Sequence, residues 1–157
     1  MSHLVPIRTP CIGVCSTGVG DVVCRGCKRF AHEVIDWNGY SQEQKRAIDR
    51  RLDIFLAQCV ANKFRIVDLP LLNWQLGVQQ IRIQAHHDPH SHIFALLKAG
   101  AKQIASPELY GFEILPPHRD KSLVVLREEV DEEFWVLSAA HYDRYIATGD
   151  LFATGPA

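Results

Sequence analysis

Four of the five cysteines crowd into one short N-terminal stretch, spaced Cys11-x3-Cys15-x8-Cys24-x2-Cys27. Two or three intervening residues let each close pair of sulfurs reach one ion or cluster, and the longer connection lets the pairs face each other. Four thiolates make a closed coordination sphere for zinc or for an iron–sulfur core. Gly13, Gly18, Gly20 and Gly26 in the same stretch suggest a backbone wrapped tightly around a centre. Both pair spacings suit zinc, and neither common ferredoxin spacing is present. Gly13 and Gly26, however, could supply the backbone N–H···S bonds that tune a cluster. The cofactor expected is therefore zinc or an iron–sulfur cluster. Two other readings stand beside it: a redox dithiol at Cys24-x2-Cys27 alone, which lacks the preceding strand of thioredoxin-like settings, and four unrelated buried small residues.

The rest of the chain offers weaker chemistry. His86, His87, His90 and His92 surround Asp88 and could hold a second metal; a polar loop leading into a helix is the plainer reading. Lys45, Arg46, Arg50 and Arg51 form a basic helix face, either solvated or turned to phosphates or an acidic partner. Cys59 reads as a small buried hydrophobe, His118 and His141 as structural, and Trp37 and Trp74 as core residues. Glu128, Glu129, Asp131, Glu132 and Glu133 suit a helix N-terminus. The sequence has no glycine-rich phosphate loop, nucleophile elbow or paired catalytic carboxylates. An enzyme reading would rest on the histidines alone and is the least favoured.

With 157 residues, 47% of them hydrophobic and 22% charged, the chain has the composition of a packed protein. Its apolar runs are far too short for a bilayer, so no membrane association is expected. Met1–Pro10 has no signal-peptide pattern, so the expected location is cytoplasmic, where clustered thiols serve metals rather than disulfides. The net charge of −1 conceals a split. Residues 1–65 carry ten Lys and Arg against six Asp and Glu, and residues 66–157 carry seven against twelve. A mildly basic segment beside an acidic one is compatible with a protein or nucleic-acid partner without requiring either.

The elements that must position the cysteines can be read from spacing. A short helix is expected over about Lys28–Trp37, with Phe30, Val34 and Trp37 on one face and its N-terminus beside Cys24 and Cys27, and Asn38-Gly39 should end it. Ser41 and Gln44 form a capping box opening a second helix, with Ile48, Leu52, Phe55, Leu56 and Cys59 in helical register to about Asn62. Phe64–Leu69, Val78–Ala85, Phe112–Leu115 and Leu123–Arg127 suit strands. Asp88-Pro89 should start a helix running to about Gly100. Asp131 should cap a last helix carrying Phe134, Leu137, His141 and Tyr145 and ending at Gly149. The predicted class is α+β. Residues 1–65 are expected to form a four-cysteine metal module with a helical hairpin, and residues 66–157 a small α+β domain.

Thr9-Pro10-Cys11-Ile12-Gly13-Val14-Cys15, Cys24-Arg25-Gly26-Cys27-Lys28-Arg29 and Glu33-Val34-Ile35-Asp36-Trp37, followed by Ser41 and Arg46, resemble the DUF1289 family. These are small bacterial proteins labelled predicted iron–sulfur proteins (YdhL-like). The resemblance covers about residues 9–56. It implies Cys11, Cys15, Cys24 and Cys27 as the ligands and an iron–sulfur cluster as the cofactor, and it implies no reaction. Lys28 stands where the family tends to have a small residue, often glycine, and Ala31-His32 also depart from its pattern. The leading expectation is a small metal-binding accessory protein with an electron-transfer or redox-sensing role. The alternative is a zinc-stabilised interaction or nucleic-acid-binding module that uses the basic helix.

Overall fold

The polypeptide, described over residues 6–147 by a computed structural model, follows the order α1 (Ala31–Asp36), α2 (Gln42–Ala61), β1 (Phe64–Ile66), α3 (Leu69–Val78), α4 (Pro89–Gly100), β2 (Phe112–Ile114) and α5 (Leu123–Tyr142). Five α-helices and one two-stranded antiparallel sheet among the described residues make it an α+β protein. No helix among the described residues is long and apolar enough to cross a membrane. The chain gathers into two compact units, one of Met1–Leu52 with Phe134–Ala157 and the other of Asp53–Glu133.

In the first unit the cysteine-bearing chain turns back on itself instead of running straight into a helix. Val23 and Phe30 pair across an antiparallel bridge, Cys24 N–H donates to Arg29 O at 2.9 Å, and Ala31 N–H donates to Val22 O at 2.8 Å. These bonds use up the residues expected to form the first helical turn. Consequently α1 starts at Ala31 and not at Lys28. A 3-10 turn over Trp37–Gly39 ends it, close to the expected break. The capping box of α2 forms as its sequence implies, with Gln44 N–H donating to Ser41 Oγ at 3.1 Å and Ser41 N–H to Gln44 Oε1 at 2.8 Å.

The core of this unit centres on Phe30. His141 stacks on its ring, Tyr142 meets it edge-on at 5.2 Å between centroids, and the Arg51 guanidinium lies 4.1 Å from its centroid. Glu33 accepts Phe30 N–H at 2.9 Å and takes two bonds of 2.7 Å from Arg51. A two-pronged pair of this kind fixes orientation as well as charge. Trp37 is buried here as expected.

In the second unit, Phe64, Arg65 and Ile66 pair with Ile114, Glu113 and Phe112, and the two phenylalanine rings meet edge-on at 5.5 Å. The expected strand at Phe64–Leu69 is cut to three residues because Asp68 caps α3, accepting Leu71 N–H at 3.1 Å. Helix α3 has almost no polar stripe, and Pro70 and Gly77 disguise it as loop; Leu72 and Leu76, one turn apart, are its buried face. Its only tryptophan, Trp74, is 61% exposed and so is not a core residue.

Two strand expectations fail. Over Val78–Ala85, Gln80 takes φ +56° and Ile81 N–H returns to Leu76 O, so the start of that segment closes α3 and the remainder has no strand partner. Leu123–Arg127 belongs to α5, in which Leu123, Leu126, Val130 and Phe134 are buried at three- and four-residue spacing. Ser122, not Asp131, caps that helix, its Oγ accepting Val125 N–H at 3.1 Å. Asp131 and the acidic residues around it therefore lie along α5, past its first turn. A π-helical turn over Asp143–Ala147 follows α5, and the expected stop at Gly149 lies outside the described residues. Helix α4 begins at Pro89 under an Asp88 cap, as its sequence implies.

Gly111 makes the junction of α3 and β2 possible. Its φ is +85°, its carbonyl accepts Val67 and Asp68 N–H, and an added Cβ would lie 2.3 Å from Asp68 O. Gly111→Ala is expected to cost about 3 kcal/mol, at the upper end for overpacking. Urea unfolding checks this, and an unchanged midpoint would mean that the junction yields freely.

Candidate metal centre

The turn Arg25-Gly26-Cys27-Lys28 closes the Val23–Phe30 bridge, with Lys28 N–H donating to Cys24 O at 2.8 Å and Lys28 at φ +66°. Cys24, which precedes this turn, and Cys27, within it, are both buried. Burial alone would raise the pKa of the Cys24 thiol, but N–H groups of Cys27, Ser16 and Gly26 turned toward its sulfur outweigh that and bring it down to about 7. Burial pushes the Cys27 thiol up, against the pull of Arg29, whose Nε–H donates to Cys27 Sγ at 3.2 Å. The donors around these sulfurs come from the turn itself, from Ser16 and from Arg29. The expectation that the following helix would supply them through its N-terminus fails, because α1 starts only after the bridge.

The other cysteine pair lies on the preceding loop, and both members are exposed. Cys11 Sγ accepts Gly13 N–H at 3.4 Å, and Cys15 Sγ is 3.0 Å from Thr17 Oγ1. This loop is laced to the turn: Arg25 N–H donates to Ser16 Oγ at 2.7 Å, and the Cys24 thiol donates to Val14 O at 3.6 Å. Gly26 lets them meet, since a Cβ there would lie 2.3 Å from Val14 O and 3.2 Å from the Ile12 side chain. The structure thus brings the two cysteine segments into contact and joins Cys24 to Cys27. Among the described residues, no three of the four sulfurs fall within 4.8 Å of one another.

Three cationic side chains belong to the turn and the arm that follows it. Arg29 is 3% exposed, and its guanidinium touches Cys27 Sγ and lies 4.9 Å from the Trp37 ring centroid; none of its contacts among the described residues is a carboxylate. Lys28 is 1% exposed, with Nζ donating to Arg25 O at 2.6 Å and Gly26 O at 3.3 Å. The Arg25 guanidinium stacks 3.5 Å from the centre of the Trp135 ring, whose Nε1–H donates to Val23 O at 3.0 Å. Sequence reasoning missed Ser16 and Trp135. Ser16 carries no signal beyond its position next to Cys15, and Trp135 lies 112 residues from the carbonyl it holds.

The other candidates disperse. His86 and His87 keep their rings together at 4.6 Å, with ligand nitrogens within 4.8 Å of each other. His90 turns to Asp88, Nδ1 to Oδ1 at 2.8 Å, while His92 is buried with Nε2 against Gln84 O at 2.9 Å. The four histidines therefore do not converge on one point. Asp88 is occupied as the helix cap, accepting His90 N–H at 2.8 Å. Of the basic face, Arg51 belongs to the Glu33 ion pair, because a guanidinium over Phe30 needs its charge answered locally. Lys45 lies over the Trp37 ring at 5.5 Å, so Arg46 and Arg50 are left to form any basic surface. Cys59 is buried, and burial with the nearby Glu133 charge pushes its thiol up to about 11. His141 packs against Phe30, and burial, with the Arg51 charge, holds it below the ordinary histidine range. His118 is half-buried beside Lys121.

Residues 9–54 match a family described as "Protein of unknown function (DUF1289)", a segment holding all four clustered cysteines and Ser16, Lys28, Arg29 and Trp37. No curated protein and no solved structure matches the chain. The family match and the clustered cysteines are together compatible with metal binding.

Gly26→Ala is expected to push the two cysteine segments apart at Val14, destabilising the protein by about 1–3 kcal/mol. Faster amide hydrogen exchange at Arg25 should accompany the loss. Unchanged exchange there would show that the Ser16 bond does not depend on this close approach.

Proposed function

We propose that Cys11, Cys15, Cys24 and Cys27 bind one metal centre, an iron–sulfur cluster or a zinc ion, and that the protein acts as a small metal-binding accessory module. The observation that carries this reading is the Arg29 guanidinium, buried against Cys27 Sγ without a carboxylate. A buried cation is costly unless negative charge meets it. A thiol supplies little such charge; a metal-bound thiolate supplies it directly.

The donor set fits the group. Four thiolates around a divalent ion leave a net charge of about −2, and a cluster with a core of the same charge leaves the same excess. Arg29, against Cys27 Sγ, stands where it would balance part of it. N–H groups aimed at Cys24 and Cys11 spread sulfur charge as second-layer donors do at metal sites. In the metal-bound protein Cys24 and Cys27 form the prearranged half of the centre, and the exposed Cys11 and Cys15 close on it.

Zinc bound this way has no open position and would secure the fold of the N-terminal unit without doing catalysis. A cluster would add electron transfer or redox sensing, with the exposed cysteine pair marking its solvent side.

Full-length protein purified without oxygen should carry stoichiometric iron with sulfide, or one zinc, and Cys24→Ser or Cys27→Ser should lose the metal. Visible absorption that vanishes with Cys24→Ser identifies the cluster. A colourless protein with one zinc removes the redox role. Protein with neither metal, under conditions that keep the thiols reduced, overturns the proposal.

A further inference from the structure

Lys28 is an unusual residue for its position. It has a positive φ, where a side chain costs free energy and glycine does not, and its long cationic side chain is almost wholly buried. A backbone outlier of this kind is retained where the surroundings impose it, and such outliers gather at functional sites. Two contacts of the ammonium bear on the turn itself. Nζ donates to two successive carbonyls of the cysteine turn, Arg25 O at 2.6 Å and Gly26 O at 3.3 Å.

Each carbonyl shares a planar trans peptide with the next residue's N–H, and the two groups point in opposite directions. The partner of Arg25 C=O is Gly26 N–H, and the partner of Gly26 C=O is Cys27 N–H. An ammonium that holds both carbonyls on one side of the turn therefore directs both N–H groups to the other side. Those two N–H groups are among the three turned toward the Cys24 sulfur. Positive charge on the carbonyl oxygens also polarises the peptides, which strengthens the N–H groups as donors.

We infer that Lys28 is a positioning residue for the metal centre: its buried ammonium holds the Arg25 and Gly26 carbonyls so that the Gly26 and Cys27 amides stay aimed at the Cys24 ligand. This rests on the proposed four-cysteine centre and gives one residue of this chain a role in it. Lys28 touches no sulfur in this role. It acts through two peptide planes, and its positive charge also opposes the negative excess of the bound centre.

The test titrates reduced, metal-free full-length protein with Co(II) against a competing chelator, reading the visible bands of tetrahedral thiolate coordination. Two variants cover the risk of misfolding. Lys28→Met keeps the length of the side chain and removes its charge; Lys28→Gly removes the side chain and relieves the positive φ. Ser41→Ala, at the cap of α2, is the stability control, expected to lower the melting temperature and leave Co(II) affinity unchanged. Both Lys28 variants should bind Co(II) about tenfold or more weakly, the scale of lost support around metal ligands. Amide hydrogen exchange at Gly26 and Cys27 should quicken more than in the interior of α2, whereas general destabilisation quickens both. Wild-type affinity in both Lys28 variants, or an equal loss in Ser41→Ala, overturns the role of Lys28 and leaves the metal centre standing. A wild-type protein that takes up no Co(II) overturns the inference, and the metal centre falls with it only where the protein also carries neither iron with sulfide nor zinc.

Discussion

Val23 and Phe30 face each other across an antiparallel bridge, and the arrangement around the cysteines depends on that pairing. With the two arms joined by Cys24 N–H to Arg29 O and Ala31 N–H to Val22 O, the residues between them have to turn tightly. That constraint places Lys28 in a positive-φ conformation and turns successive N–H groups inward, onto sulfur. The arms are anchored in their turn. Trp135 holds the Val23 carbonyl, and the Phe30 ring is enclosed by His141, Tyr142 and the Arg51 guanidinium. A two-residue bridge would be negligible by itself. Here it persists because both of its members are core residues of the first unit.

The treatment of buried positive charge separates Lys63 and Arg51 from Arg29 at the cysteines. Lys63 is buried in the second unit and meets two carboxylates, Glu129 at 3.0 Å and Glu133 at 2.7 Å. Those partners hold its pKa up against the burial that would lower it. Arg51 meets Glu33 through two bonds. Arg29 follows neither example, since the acceptor beside it is a cysteine sulfur. Carboxylates answer Lys63 and Arg51, whereas at Arg29 sulfur takes the carboxylate's place. That substitution is sensible when the sulfur is anionic in the working protein, the state that metal coordination imposes.

What could be read in the sequence tracks how local its cause is. The capping boxes and caps at Ser41, Asp88 and Asp68 act over two or three residues; the first two were legible, and the third was hidden only by the apolar, Pro- and Gly-marked α3. The α5 error was a choice between two periods. Leu123-Val124-Val125-Leu126 looks like a strand in isolation, whereas Leu123, Leu126, Val130 and Phe134 taken together repeat as a helix. The cysteine spacing marked the candidate centre, but not the hairpin that shapes it, because a pairing of Val23 with Phe30 leaves no periodic trace. Trp135 lay beyond reach for the same reason, since its role arises only from the folded chain. Arg51 was misread because a basic stripe on a helix looks identical in sequence whether it meets water or Glu33.

The departure at Lys28 ties these levels together. A glycine there would adopt the turn without strain, which agrees with the small residue expected of the resembling family. The lysine accepts a local penalty on the order of 1 kcal/mol, together with the burial of an ammonium, and such a combination is unstable unless something compensates for both. Two carbonyl bonds answer part of the burial. The ammonium lies close to a turn whose other face gathers N–H donors around sulfur, so the same few residues carry a cation on one side and the Cys24 sulfur on the other. A negatively charged centre at that sulfur would add to what makes the lysine favourable. The positive-φ backbone and the buried ammonium thus belong to one turn, and both would suit the anionic centre proposed for it.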